Sequence, residues 1–176
     1  MIGLLRFLGV INVAIWFGGS VFYTFAVGPA FSSPDIRNIL HEVYSGVVGQ
    51  MVAERYYLLQ YWCGTVALVH LLAEWVLLSR PLYRLATGAL ISAFVLGLLG
   101  GMWFQPKIIH WHGITYGRAE LFTPAQKTEA AHALALWQGC AHAATFLALA
   151  GVFIYGWRIA QPSAATRFIP TSKFRS

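Results

Sequence analysis

Hydrophobic positions along this 176-residue chain gather into long stretches broken by widely spaced charges, and the breaks define its elements. A bilayer core about 30 Å thick needs about 20 apolar residues of helix at 1.5 Å per residue. Four stretches reach that length. The first lies between Arg6 and Asp35 and is closed by Gly28-Pro29 and Ser32-Ser33-Pro34. The second lies between Arg55 and Arg80 and is interrupted by Glu74. The third runs from Leu85 to Gln105 without a charge and ends at Pro106-Lys107, and the fourth lies between Glu129 and Arg158. Thr123-Pro124 supplies a helix cap and a first-turn proline ahead of the fourth. The pattern predicts an all-α integral membrane protein, a single four-helix up-down bundle with spans at about 5–28, 55–79, 84–105 and 129–157 and a tail at 160–176. The first apolar stretch exceeds the h-region of a secretory signal, so span one is expected to remain in the mature protein.

Within these stretches the polar residues fall on single faces when advanced at 100° per residue. In span two Tyr56, Gln60, Cys63, Ala67, His70 and Glu74 step by 4, 3, 4, 3 and 4. Asn12, Trp16, Gly19 and Tyr23 form the equivalent seam in span one, and Gln138, His142 and Thr145 share a face of span four. Helices in lipid associate through close packing of small residues and through polar contacts. The spans are therefore expected to share a polar interior. Span three carries Ala89, Ala93, Gly97 and Gly101 at steps of four, and span four carries Ala131, Ala135, Gly139 and Ala143, so both stripes are expected to face protein.

Composition sharpens the class. The chain is 58% hydrophobic and 10% charged, against roughly 25% charged in soluble domains. Its 12 basic and 6 acidic residues cannot cover a soluble surface, and the aromatic content excludes disorder. With the N-terminus cytoplasmic, seven basic residues (Arg6, Arg80, Arg84, Arg158, Arg167, Lys173, Arg175) fall inside and five (Arg37, Arg55, Lys107, Arg118, Lys127) outside. The short turn around Arg80 and Arg84 is where the positive-inside rule holds best. Both termini are accordingly expected in the cytoplasm. The net charge of +6 then faces anionic lipid and calls for no nucleic-acid partner.

Histidine is the commonest metal ligand and titrates near physiological pH. Two sites can be drawn from the six present. One is intramembrane: His70 and His142, supported by Glu74 and Gln138, placed to hold haem b or copper with an axial offset of roughly 6 Å. The other is at the outer face, where His110 and His112 would join His41 and His132 beside Glu54, Glu120 and Glu129, a set suited to Cu(II) or Zn(II). For that site the segment from Pro106 to Lys127 is expected to fold back over the bundle mouth. Cys63 and Cys140 indicate neither a disulfide nor a zinc site. GxSxG, Walker, CxxCH and HExxH patterns are absent, and no catalytic motif is found.

The stretch from Ala14 to Phe31 (AIWFGGSVFYTFAVGPAF), the segment from Gly46 to Tyr57 (GVVGQMVAERYY) and His132 at the entry of span four resemble bacterial four-helix membrane proteins of unknown function related to transmembrane protein 205. That group is itself similar to the CopD and HemJ membrane proteins. The resemblance implies a four-helix bundle in the bacterial inner membrane. Taken with the histidines, the chain reads as a small membrane protein that binds haem b or copper for redox or metal handling. The rival is an accessory subunit of a larger membrane complex, with a membrane-protein partner or a second copy of itself. A small-solute permease ranks below it, because paired broken helices are missing.

Overall fold

The computed structural model describes residues 2–78, 84–117 and 121–161. The turn at 79–83 with Arg80, the residues Arg118 and Glu120, the side chain of Glu42 and the tail from 162 onward lie outside the described residues. Apart from short turns and bends, the described residues are helical, with no strand among them. Helix α1 (Ile2–Phe22) runs through a π-helical turn (Tyr23–Val27) into α2 (Gly28–Ser32) as one rod. Helix α3 is Pro34–Leu78, broken at His41 by a positive φ of 56°. Helix α4 (Arg84–Leu99) runs through a second π turn (Gly100–Phe104) into α5 (Gln105–Thr115), and α6 is Pro124–Ala160. Three helices are long and apolar enough to cross a membrane: Gly3–Phe31, Arg84–Thr115 and Pro124–Ala160.

Two rods are longer than the sequence pattern suggests, for one shared reason. Gly28-Pro29 and Pro106-Lys107 read as helix ends, since proline lacks an N–H and its ring strikes the carbonyl four residues back. Both prolines instead stand two residues after a π turn. There the Gly28 N–H donates to the Tyr23 carbonyl and the Gln105 N–H to the Gly100 carbonyl, five residues back. The widened turn shifts the hydrogen-bond register ahead of each proline, and the helix passes on to Ser32 and to Thr115. Of the segment from Pro106 to Lys127, expected as a folded-back loop, the part up to Thr115 therefore belongs to helix α5 and the part from Pro124 to helix α6. The start of α6 follows the sequence reading: Thr123 and Gln126 form a reciprocal capping box with Pro124 in the first turn.

The rods pack in chain order around a square, α1–α2 and α4–α5 each lying beside both α3 and α6. At the end that holds residues 2 and 161, called here the terminal end, Arg6 donates to the Ala160 and Gln161 carbonyls. In the terminal half all the rods meet in one core that includes Trp16, Cys63, Leu71, Leu90, Val152 and Tyr155. Towards the other, distal end the core divides. Ala53, Tyr56 and Tyr57 pack with Tyr23 on one side, and Ile108, Leu134 and Ala141 pack with Phe104, Trp111 and Trp137 on the other.

The small-residue stripe of α4 faces protein: Gly97 lies against Gln60, and Gly151 of α6 packs on Ala89 and Ala93. The stripe expected on α6 does not. Ala131, Ala135, Gly139 and Ala143 are exposed, and the packing face is formed by Leu134, Ala141, Ala144, Ala148, Val152 and Tyr155. The close approach of α6 is made by a different set of small residues, Ala141, Ala144, Ala148 and Gly151.

Candidate functional site

The seams drawn from the sequence meet along α1 and α3. Asn12 donates to the Cys63 carbonyl at 2.9 Å. The Trp16 indole N–H donates to the Gln60 amide oxygen, and the Gln60 amide donates to Tyr56 and, at 3.0 Å, to Ser20. Tyr23 stacks on Tyr56 with ring centroids 3.9 Å apart. Every buried polar group in this ladder has a partner inside the bundle, which is what helices in lipid require of it.

His70 belongs to the terminal half. Its Nε2 lies 3.0 Å from the Leu5 carbonyl and its Nδ1 3.3 Å from the Tyr155 hydroxyl, while the ring rests on Gly9. Both ring nitrogens are thus engaged by protein. Glu74 pairs with Arg158 at 3.3 Å. His142 lies elsewhere: it is 13 residues before Tyr155 on the same helix, about 20 Å along the axis at 1.5 Å per residue. The structure therefore separates His70 and Glu74 from His142 and Gln138, and the expected axial pair is not formed. Placing each histidine from the centre of its charge-free stretch gave the wrong register, because α3 begins at Pro34 and α6 at Pro124, well outside those stretches.

His142 and Gln138 instead line a cavity of about 240 Å³ in the distal half, between the two divided core clusters. Its walls include Tyr23 and Val27 of the first rod, Arg37, Gly46 and Tyr57 of α3, Gln105 and His112 of the third rod, and Thr145 of α6. Among the described lining residues there is no carboxylate, and Arg37 is the charged side chain. Gln138 and His142 are exposed although they line it, so the mouth opens along α6. His112 is 7% exposed, and its Nε2 is buried without a hydrogen-bond partner. The ring sits over Gly46, where a Cβ would strike it. A buried polar atom left unpaired costs about 1 to 3 kcal/mol, and this one is turned towards the Gly46 backbone of α3 and away from the cavity space. A second cavity of about 220 Å³, lined by Glu54 and Tyr61, shares the Tyr57 and Gln105 walls.

The expected outer metal cluster is not assembled. His110 and His112 lie two residues apart on helix α5, about 200° around its axis. His110 is exposed with its ring edge against Trp111, and His112 is buried against Tyr116. His41 sits exposed at the break in α3 and His132 exposed on α6. Among the described residues no group of three or more His, Cys, Asp or Glu side chains could hold a metal ion.

Sequence reasoning found Gln138, His142 and Thr145 as one face and missed Arg37, Gly46, Tyr57 and Gln105 as cavity residues. A signal was present, since Gly46, Gly49, Ala53 and Tyr57 recur at steps of three and four. Only Tyr57 of these falls inside the second span as drawn from Arg55, so residues 46–53 were assigned to no helix face. No curated protein and no solved structure matches the chain. Residues 11–113, more than half of the sequence, match a domain of unknown function, DUF4149, and the protein thus belongs to the DUF4149 family.

Proposed function

We propose that this protein is a multi-pass protein of the bacterial inner membrane, with both termini cytoplasmic, that holds a small organic ligand in the distal cavity. The observation that carries the reading is the cavity itself, about 240 Å³, whose walls bring the polar side chains of Gln105, Gln138 and His142 together. Helix α3 would form the fourth crossing. Its contacts with α1 pair His70 with Leu5, Cys63 with Asn12, Gln60 with Trp16 and Tyr56 with Tyr23, an antiparallel ladder over the length of the first span. The resemblance to proteins related to transmembrane protein 205 and to the CopD and HemJ group supports a membrane bundle and assigns no activity.

Binding of haem b or copper, suggested by the histidine content, loses the His70–His142 pair and would have to use His112 and His142 in the cavity instead. Native mass spectrometry of the protein purified from its own membranes tests the proposal. We expect a bound small molecule in the wild type that is lost from an Ala141→Phe variant, which fills the cavity. Absence of any bound species would overturn the reading, and a Soret band or stoichiometric copper would replace the organic ligand by that cofactor.

A second reading rests on the same exposed residues. Gln138 and His142 stand near the middle of α6, where a polar side chain facing hydrocarbon is costly. A helix of a partner protein or of a second copy would cover them, as in an accessory subunit. Copurification of a stoichiometric protein partner would favour it.

A further inference from the structure

Building on the cavity reading above, we propose that the ligand is a phosphate ester, the head group of an anionic phospholipid of the distal leaflet, held in the cavity by Arg37. The depth of the cavity, its charge and the backbone that presents the arginine converge on that chemistry.

A hydrocarbon core about 30 Å thick corresponds to about 20 residues of helix. Among the described residues, the charges nearest the terminal end are Arg6, Glu74, Arg84 and Arg158, one on each rod. About 20 residues further on, the rods reach Ala26, Glu54, Phe104 and Gln138. Val27, Tyr57, Gln105 and Gln138, at or beside those positions, all line the cavity. Every rod thus places it at the distal edge of the hydrocarbon, the level of the lipid phosphates. Gln138 stands at that edge and His142 one turn inside it, both exposed at the mouth. A head group entering from the bilayer covers this pair as a partner helix would.

Charge selects an anion. Arg37 is the charged side chain of the described lining, with no carboxylate there to receive a cation. Glu54 and Arg55 line the adjoining cavity as one charge of each sign, beyond the shared Tyr57 and Gln105. A guanidinium carries several N–H donors in a fork that matches phosphate oxygens, so Arg37 keeps its contact within the protein and takes a phosphate as well. The Gln138 amide and the His142 ring stand in the same wall as uncharged donors. A zwitterionic head would bring a cation that this wall does not neutralise.

The backbone puts the arginine in place. Residues 34–40 form a short helical segment between two breaks, Ser33 at ψ 144° and His41 at φ 56°. Strain of the kind at His41 persists where the surrounding structure holds it, and functional sites are where it gathers. The break lets α3 enter the wall twice, through Arg37 before it and through Gly46 and Gly49 after it. Pockets that enclose whole drug-sized ligands run to about 300–1,000 Å³. At about 240 Å³ this one takes the head and leaves the acyl chains in the bilayer.

The test is native mass spectrometry of the full chain in detergent, titrated with dioctanoyl phosphatidylglycerol, with dioctanoyl phosphatidylcholine and with glycerol 3-phosphate. We expect one saturable site for phosphatidylglycerol, with the other two weaker by about 10-fold or more, the worth of one charge-assisted contact. Arg37→Gln should remove the preference for phosphatidylglycerol, and Arg37→Lys, which keeps the charge, should retain it. Equal binding of the two lipids by the wild type, or an unchanged preference in Arg37→Gln, overturns the proposal. Glycerol 3-phosphate bound as tightly as phosphatidylglycerol overturns the lipid source. Where Arg37→Gln does not fold, the comparison of the two lipids on the wild type decides. Ala141→Phe separates this proposal from the reading beneath it: where filling the cavity releases a copurified species that is not a phosphate ester, the phosphate falls and the cavity reading stands. Where the wild type binds no species at all, both fall.

Discussion

The two buried histidines each rest on a helical glycine, His70 on Gly9 and His112 on Gly46. In neither case is the glycine a flexible joint. It is the absence of a Cβ that lets an imidazole lie against the neighbouring helix. Alanine normally gains about 1 kcal/mol over glycine in a helix interior, so the sign of a Gly→Ala change reports which effect rules. At Gly46 the new methyl would strike the His112 ring, and overpacking of that kind costs about 1 to 3 kcal/mol. We expect Gly46→Ala to lower the thermal midpoint in detergent, while Gly139→Ala, with open space around its Cβ, raises it. A rise in both would mean that the His112 ring moves aside freely. His41 gives the opposite case, a side chain at φ 56° and ψ 155°, where L-residues are strained. Such a conformation stores about 1 to 3 kcal/mol, so His41→Gly should stabilise the protein. An unchanged or lower midpoint would show that the side chain compensates locally.

The elements follow the sequence wherever a period of 3.6 and a polar seam coincide. The seam from Tyr56 to Glu74 was legible because its residues are the polar ones in an apolar run, and burial finds Tyr56, Gln60, Cys63, Ala67 and His70 all inside. The rods were mismeasured where proline stands, because a π turn leaves no mark in residue type that separates a kink from a stop. Glycine and aromatic residues fill Gly100–Phe104, and they fill ordinary membrane helix as well. The start of α6 was legible through its cap. Thr123 accepts from the Gln126 backbone N–H, and the Gln126 side chain accepts from the Thr123 N–H. We expect Thr123→Ala to cost about 1 kcal/mol, read as a lower thermal midpoint, with Thr123→Asp restoring most of it. Equal loss in both variants would mean that the cap acts by packing and not by hydrogen bonding.

At the scale of the whole molecule the bundle is closed at one end and divided at the other, and the polar contacts account for the difference. In the terminal half α3 and α6, which face each other across the square, are joined by Glu74 to Arg158, by His70 to Tyr155 and by Tyr155 to the Ala67 carbonyl. Gly151 then brings α6 onto the Ala89 carbonyl, with only 2.7 Å left for a Cβ. The corresponding diagonal of the distal half runs through the cavity. The sequence placed Glu74 beside His70 as support for an intramembrane ligand site. Its observed partner is 84 positions away on α6, a pairing that needs the register of two helices whose ends were not visible in the hydrophobic pattern. The pair is partly buried, at 17% and 15% side-chain exposure, so removing either member leaves a charge in a poorly solvated place. A double-mutant cycle of Glu74→Gln and Arg158→Gln should give a coupling of about 1 kcal/mol or more, with each single variant less stable than the double variant predicts by addition. Tyr155→Phe, which keeps the ring and removes the hydroxyl, should cost about 1 kcal/mol and leave a ligand in the distal cavity bound as before. Coupling near zero would mean that packing around Gly151 alone closes the terminal half. Loss of ligand in Tyr155→Phe would mean that the two halves of the bundle act as one.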